Sequence, residues 1–192
     1  MRKKEIGILA VQGAFAEHAL MLETLGAGTH LIRQASDLKL PMDGLILPGG
    51  ESTVQGKLLR ELGLFVPLKQ KIEAGLPVFG TCAGMILLAK KLEEDPVSHF
   101  GVMDITVRRN AYGRQLGSFL AHEKFGNLGE ITMPFIRAPY ISEVGPGVQV
   151  LASVDGHVVA AKEKNMLAIS FHPEVTNETA VHEWFLDMVE NA

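Results

Sequence analysis

The only cysteine of the chain stands between two glycines, in Gly80-Thr81-Cys82-Ala83-Gly84, where two apolar runs meet. Residues 76–79 read as a buried strand, and residues 85–89, closed by Lys90 and Lys91, read as a helix. A strand that passes into a helix through G-x-C-x-G has the shape of a nucleophile elbow, with a thiol in place of the hydroxyl. The glycines let the backbone turn sharply and keep neighbouring Cβ atoms away from the central side chain. The helix start offers unpaired N–H groups and a positive dipole end, which favour a thiolate over a thiol. A lone cysteine is more often a small buried hydrophobe. That alternative weakens here, because the elbow needs both glycines and both flanking elements, and all are present.

The rest of the first half supplies a sheet for this elbow. Residues 6–11 read as a buried strand, and Gln12-Gly13 turns the chain into a helix with Phe15, Ala19, Leu22 and Leu25 on one face, closed by Gly26. His18 lies near that face and reads as a core-edge histidine with a hydrogen-bond partner rather than as a catalytic one. Strands follow at residues 29–33 and 43–47, and helices at residues 58–64 and 65–74. The third strand runs into Pro48-Gly49-Gly50-Glu51-Ser52-Thr53. Ser52 or Thr53 can cap the next helix, and the paired glycines can bring N–H groups close to a ligand, although such a turn alone is a weak signal. Strand–helix alternation predicts an α/β fold: a three-layer sandwich with a mostly parallel central sheet. Ligands on such sheets bind beyond the strand C-termini, where Gly50 and Cys82 both fall.

After Lys91 the pattern becomes strand-like, at residues 105–107, 118–121, 135–138, 148–152, 158–161 and 167–171. Asp155-Gly156 between two such runs is a hairpin signature, so the second half is expected to add antiparallel strands to the first sheet. The loop from Arg108 to Gln115 holds three arginines, and Arg137 sits inside the apolar run Phe135-Ile136-Arg137-Ala138-Pro139. Loop arginines are usually solvated, but a charge in an apolar strand wants a partner, and an arginine fork matches the carboxylate of a small anionic or zwitterionic substrate. The last strand enters His172-Pro173-Glu174. If that segment is extended, both side chains lie on one side, and Glu174 can fix which imidazole nitrogen faces Cys82. A final helix over residues 178–190 carries Trp184 at core spacing.

Composition narrows the class. One domain is expected over all 192 residues, because domains run to roughly 150 residues. A net charge of -4 argues against a nucleic-acid partner. No apolar run approaches the roughly 18 residues of a membrane span, and a single cysteine suits a reducing compartment, so a cytoplasmic location is expected. Neither metal-ligand spacing nor a dinucleotide fingerprint is present, so no cofactor or metal is expected.

With these motifs in place, the chain resembles the class I, triad-type glutamine amidotransferases, whose fold is flavodoxin-like. Within them it is most similar to the glutaminase subunits of pyridoxal 5'-phosphate synthase. The resemblance spans the whole chain. Gly80-Thr81-Cys82-Ala83-Gly84 and Phe171-His172-Pro173-Glu174 carry the broad family. Leu9-Ala10-Val11-Gln12-Gly13 with Glu17-His18, Pro48-Gly49-Gly50-Glu51-Ser52-Thr53, Arg109-Asn110 and Phe135-Ile136-Arg137-Ala138-Pro139 carry the narrower one. The resemblance implies Cys82 as nucleophile, His172 as general base and acid, and Glu174 as its orienter. It implies a glutamine site with Gly50, Glu51, Ser52, Arg109, Ile136 and Arg137, and an oxyanion hole from the N–H groups of Gly50 and Ala83. It further implies that ammonia passes through a channel to a synthase subunit within a large hetero-oligomer, with Gln12 and its helix as the contact surface. Tyr112 and Gly117 depart from the family pattern, which expects phenylalanine and an acidic residue there. Three alternatives stay open: the glutaminase of another amidotransferase complex, a free-standing cysteine hydrolase, and a degenerate domain kept for binding.

Overall fold

The computed structural model describes residues 2–110 and 117–192. The first half forms β1 (Glu5–Leu9), α1 (Phe15–Thr24), β2 (Gly28–Ile32), β3 (Gly44–Leu47), α2 (Ser52–Glu61), α3 (Phe65–Glu73), β4 (Val78–Thr81) and α4 (Ala83–Leu88). Then come β5 (Ala89–Leu92), β6 (Met103–Arg108), β7 (Ser118–Lys124), β8 (Glu130–Ile136), β9 (Tyr140–Val144), β10 (Gln149–Val154), β11 (His157–Glu163), β12 (Met166–Ile169) and α5 (Ala180–Glu190). Ten strands form one sheet in the order β2-β1-β3-β4-β12-β11-β9-β6-β5, with β10 paired to β11. The five from β2 to β12 are mutually parallel, and antiparallel pairing begins at β11.

Strand side chains alternate between the two faces, and the core divides accordingly. Leu45 and Leu47 of β3 pack with Leu59 of α2, Leu68 of α3 and Met85 of α4. Ile46, between them, packs on the other face with Leu22 of α1 and Phe185 of α5. The result is the three-layer α/β sandwich anticipated from the alternation of elements. The Asp155-Gly156 hairpin also forms, with φ of 49° and 80° at its two turn residues.

Several local expectations are corrected. β7 and β8 do not join the main sheet; they pair only with each other and cover the α5 face, where Phe135 and Met133 are buried. Lys90 and Lys91 do not close a helix: α4 stops at Leu88, and both lysines lie in β5, exposed, paired parallel to β6. β9 was not anticipated at all. α2 starts at Ser52, with Glu51 at its N-cap position, and neither Ser52 nor Thr53 makes a side-chain cap. The strand expected over 135–138 ends at Ile136, so Arg137 lies just past it with φ 46°.

Candidate active site

Cys82 follows β4 directly and precedes α4, with φ 50° and ψ −102°. A non-glycine residue is seldom held at positive φ, and such strain collects at functional sites. The turn is pinned from both sides. The Cys82 N–H donates to the Ile169 carbonyl of β12 at 2.8 Å, and its own carbonyl accepts from the Ile86 N–H at 3.3 Å. Gly84 has no room for a Cβ, which would strike the Leu47 carbonyl of β3, so the second glycine of the motif seats α4 against the sheet. Ala83 is the first residue of α4, so its N–H has no acceptor within the helix.

His172 arrives from β12, its N–H bonded to the Pro134 carbonyl at 2.8 Å. The segment after it is not extended, as expected from the sequence, but a single 3-10 turn, Pro173–Val175. The turn still brings the two side chains together, with His172 Nδ1 and Glu174 Oε1 2.7 Å apart. Both residues are buried. Burial works against an imidazolium at His172, but hydrogen bonds to Cys82 and Glu174 outweigh it and raise the group to about 10. Burial likewise opposes the Glu174 carboxylate, and the facing imidazoles of His18 and His172 more than offset this, holding its carboxyl below the ordinary range.

Gly49 packs on this pair, leaving no space for a Cβ beside His172 Cε1. The Ala14 N–H donates to the Gly49 carbonyl at 3.0 Å, which in a planar trans peptide turns the Gly50 N–H away from α1. The same loop is held by Gln12, whose side-chain oxygen accepts from the Glu51 N–H at 2.8 Å. Gln55 ties both segments, donating to the Gln12 and Pro48 carbonyls.

A cavity of about 680 Å³ opens over Cys82 and His172. Gly50, Glu51, Ser52, Arg109, Ile136 and Arg137 all line it, so every expected substrate contact faces one space. Glu174, Ala83 and Gln12 do not line it. Arg109 is already engaged, with Asp95 Oδ2 3.1 Å from its Nη2 and Thr53 Oγ1 3.4 Å from its Nη1. The Arg137 side chain is exposed and makes no ion pair among the described residues; its N–H donates to Gly117. Thr53, Ile86, Glu94, Asn110 and Pro139 also line the cavity, and the sequence assigned none of them a contact in the site. Asn110, which follows Arg109 directly, has φ 49°. Tyr112 lies outside the described residues. Among the described residues no His, Cys, Asp and Glu cluster suited to a metal ion occurs, and no helix is long and apolar enough to cross a membrane.

The chain is similar to known proteins over nearly its whole length. The chain is 61% identical over 184 residues to the pyridoxal 5'-phosphate synthase subunit PdxT of Methanocorpusculum labreanum, covering 96% of this chain and 97% of that one. It is 56% identical over 191 residues to PdxT of Haemophilus influenzae strain PittEE, covering 98% and 100%. A crystal structure titled glutamine amidotransferase superposes with a TM-score of 0.92 at 41% identity, over 96% of this chain and 98% of that one. PurLQS from Thermotoga maritima shares the fold alone, with a TM-score of 0.70 at 15% identity, over 97% and 99%. The family model described as the SNO glutamine amidotransferase family matches residues 8–191, and the chain belongs to that family.

Proposed function

We propose that this chain is the glutaminase subunit of a pyridoxal 5'-phosphate synthase, hydrolysing L-glutamine to L-glutamate and ammonia. The observation that carries the reading is the Cys82, His172 and Glu174 constellation under a cavity lined by every substrate residue inferred from the sequence. Cys82 Sγ attacks the side-chain amide carbon of glutamine, and the C=O electrons move onto oxygen. The N–H groups of Gly50 and Ala83 hold that oxyanion, each worth on the order of 3 kcal/mol at comparable sites. His172 gives its proton to the departing amide nitrogen, and the C–N bond breaks to release ammonia. The imidazole then takes a proton from water, which attacks the thioester carbon and frees glutamate. Glu174 keeps the His172 Nδ1–H pointed away from the chemistry throughout. Arg137, the cavity arginine with no ion pair among the described residues, takes the substrate carboxylate, and Glu51 and Ser52 complete the polar wall.

The ammonia passes to a synthase subunit, which joins it to a pentose phosphate and a triose phosphate to form pyridoxal 5'-phosphate. The two subunits assemble as a large hetero-oligomer in the cytoplasm. Gln12 and α1 form the contact surface; Leu20 on α1 is 68% exposed, as an unpartnered docking residue would be. Gln12 also touches Glu51, so partner binding at Gln12 bears on the loop that holds the Gly50 donor and shifts its population toward the competent form.

The test is glutamate release by the purified chain, alone and with the synthase subunit, beside Cys82→Ala. Activity that rises on adding the partner and vanishes in the variant is expected. Equal activity with and without the partner points instead to a self-sufficient hydrolase, and activity that survives in Cys82→Ala overturns the mechanism.

A further inference from the structure

Behind the triad lies a buried polar chain that the chemistry above does not use. His18 on α1 and His182 on α5 are both 0% exposed, with His18 Nδ1 and His182 Nε2 2.9 Å apart. The other His18 nitrogen, Nε2, is 3.1 Å from Thr81 Oγ1 and 3.7 Å from Glu174 Oε2. That Glu174 oxygen is the one His172 leaves free, and it accepts no hydrogen bond among the described residues. Thr81 Oγ1 also accepts the Gly49 N–H at 3.0 Å. His18 therefore touches, from behind, both the orienting carboxylate and the hydroxyl that anchors the loop over the nucleophile.

Burial keeps both imidazoles neutral, pushing His18 down and His182 down to about 3. Each ring then carries one N–H, and the two can be arranged in two ways. In the first, His18 Nδ1–H donates to His182. This places the remaining His182 hydrogen on Nδ1, which is buried with no acceptor, and aims a bare His18 lone pair at the Glu174 carboxylate. In the second, His182 Nε2–H donates to His18, and the His18 hydrogen sits on Nε2, within reach of Thr81 Oγ1 at 3.1 Å and facing the Glu174 oxygen at 3.7 Å. The unpartnered group on His182 is then a lone pair on Nδ1 instead of an N–H, and an under-satisfied acceptor is more tolerable in a protein interior than an orphaned N–H. The second arrangement prevails.

We propose that His18 is a positioning residue of the glutaminase site, its Nε2–H steadying the free oxygen of Glu174, and that His182 fixes the tautomer that makes this possible. The inference rests on the glutaminase reading. The titratable residues facing His18 are Glu174, His172, His182 and, on its own helix, Glu17. Of these only Glu174 offers Nε2 a carboxylate oxygen within 4 Å. Without His18 that carboxylate keeps its burial and loses the favourable field of the facing N–H, so it protonates at higher pH and its grip on His172 loosens.

The test uses the chain in complex with the synthase subunit. His18→Asn, whose amide reaches only the Nδ1 place, should lower kcat roughly 10–100-fold, the loss common when an outer partner of a catalytic group is removed. The glutamine KM should move less than about threefold, and the acid limb of kcat/KM against pH should shift upward. His18→Gln, whose amide nitrogen reaches the Nε2 place, should recover most of kcat and the limb. An unmoved kcat and limb in His18→Asn, or an equal loss in His18→Gln, overturns the proposal. If His18→Asn fails to fold by circular dichroism, His182→Phe carries the same limb test with His18 in place. The wild type supplies a variant-free reading, since imidazole 15N shifts should show His18 protonated at Nε2 and bare at Nδ1; the reverse sinks the proposal. An inactive wild-type complex would sink the glutaminase reading, while the 15N shifts would still decide the arrangement of His18.

Discussion

At Arg137 the backbone does something unusual for a charged residue: φ is 46°, immediately past the end of β8. The strand delivers the side chain to the cavity rim and then breaks off, leaving the guanidinium exposed and without an ion pair among the described residues. Arg109, by contrast, already has Asp95. The sequence marks Arg137 as the charge in want of a partner and Arg109 as a solvated loop cation, and the fold gives the partner to Arg109 instead. Arg137→Ala should therefore raise the glutamine KM about 10- to 100-fold, the loss of a charged hydrogen bond worth roughly 1.5–3 kcal/mol. Arg109→Ala should do less to KM. Steady-state glutamate release over a range of glutamine concentrations checks both. His18 was legible as a core-edge histidine with a partner and as part of a family motif, with no role in the site. Its sequence neighbours do not predict contact with Thr81, Glu174 and His182, because those contacts join four separate segments.

Among the elements, the elbow was legible because its requirements are local: two glycines, a strand before and a helix after. Gly84 is where the local rule meets the sheet, since a Cβ there would strike the Leu47 carbonyl. In most helices Gly→Ala is favourable by nearly 1 kcal/mol. Here Gly84→Ala should instead lower stability by about 1–3 kcal/mol, as overpacking does, and displace Cys82 enough to cut activity. Urea unfolding beside an activity assay will show both effects. β5 was misread for the opposite reason. Ala89-Lys90-Lys91-Leu92 has good helix propensity, and nothing within the run opposes continuing α4; pairing with β6, the next strand, decides the outcome. β9 escaped because only Ile141 of its five residues is fully buried, so the apolar alternation that marks a strand is nearly absent.

Across the whole molecule, the buried titratable groups set opposing pH limits. His172 binds its proton more tightly folded than unfolded, so its contribution is full below about 6.5 and is lost as pH rises toward about 10. His18 and His182 exclude the proton when folded, so they oppose folding increasingly as pH falls below 6.5, His182 until about 3. Glu174, held low, adds to the acid loss as pH falls below the ordinary carboxyl range. Stability should peak near pH 6.5. His182 should carry a substantial share of the acid loss, because burial keeps its imidazole neutral in the folded chain. Urea midpoints from pH 4 to 9 should trace this dome, and His182→Phe should flatten its acid side. Cys82, finally, is the sole thiol in 192 residues and lies in the wall of the cavity proposed for glutamine. An electrophile that reacts with thiols therefore reports on one atom of this protein, without the background that other cysteines create. The fraction of chains alkylated counts open catalytic sites directly, and the rate at which glutamine slows that alkylation measures occupancy in a single titration.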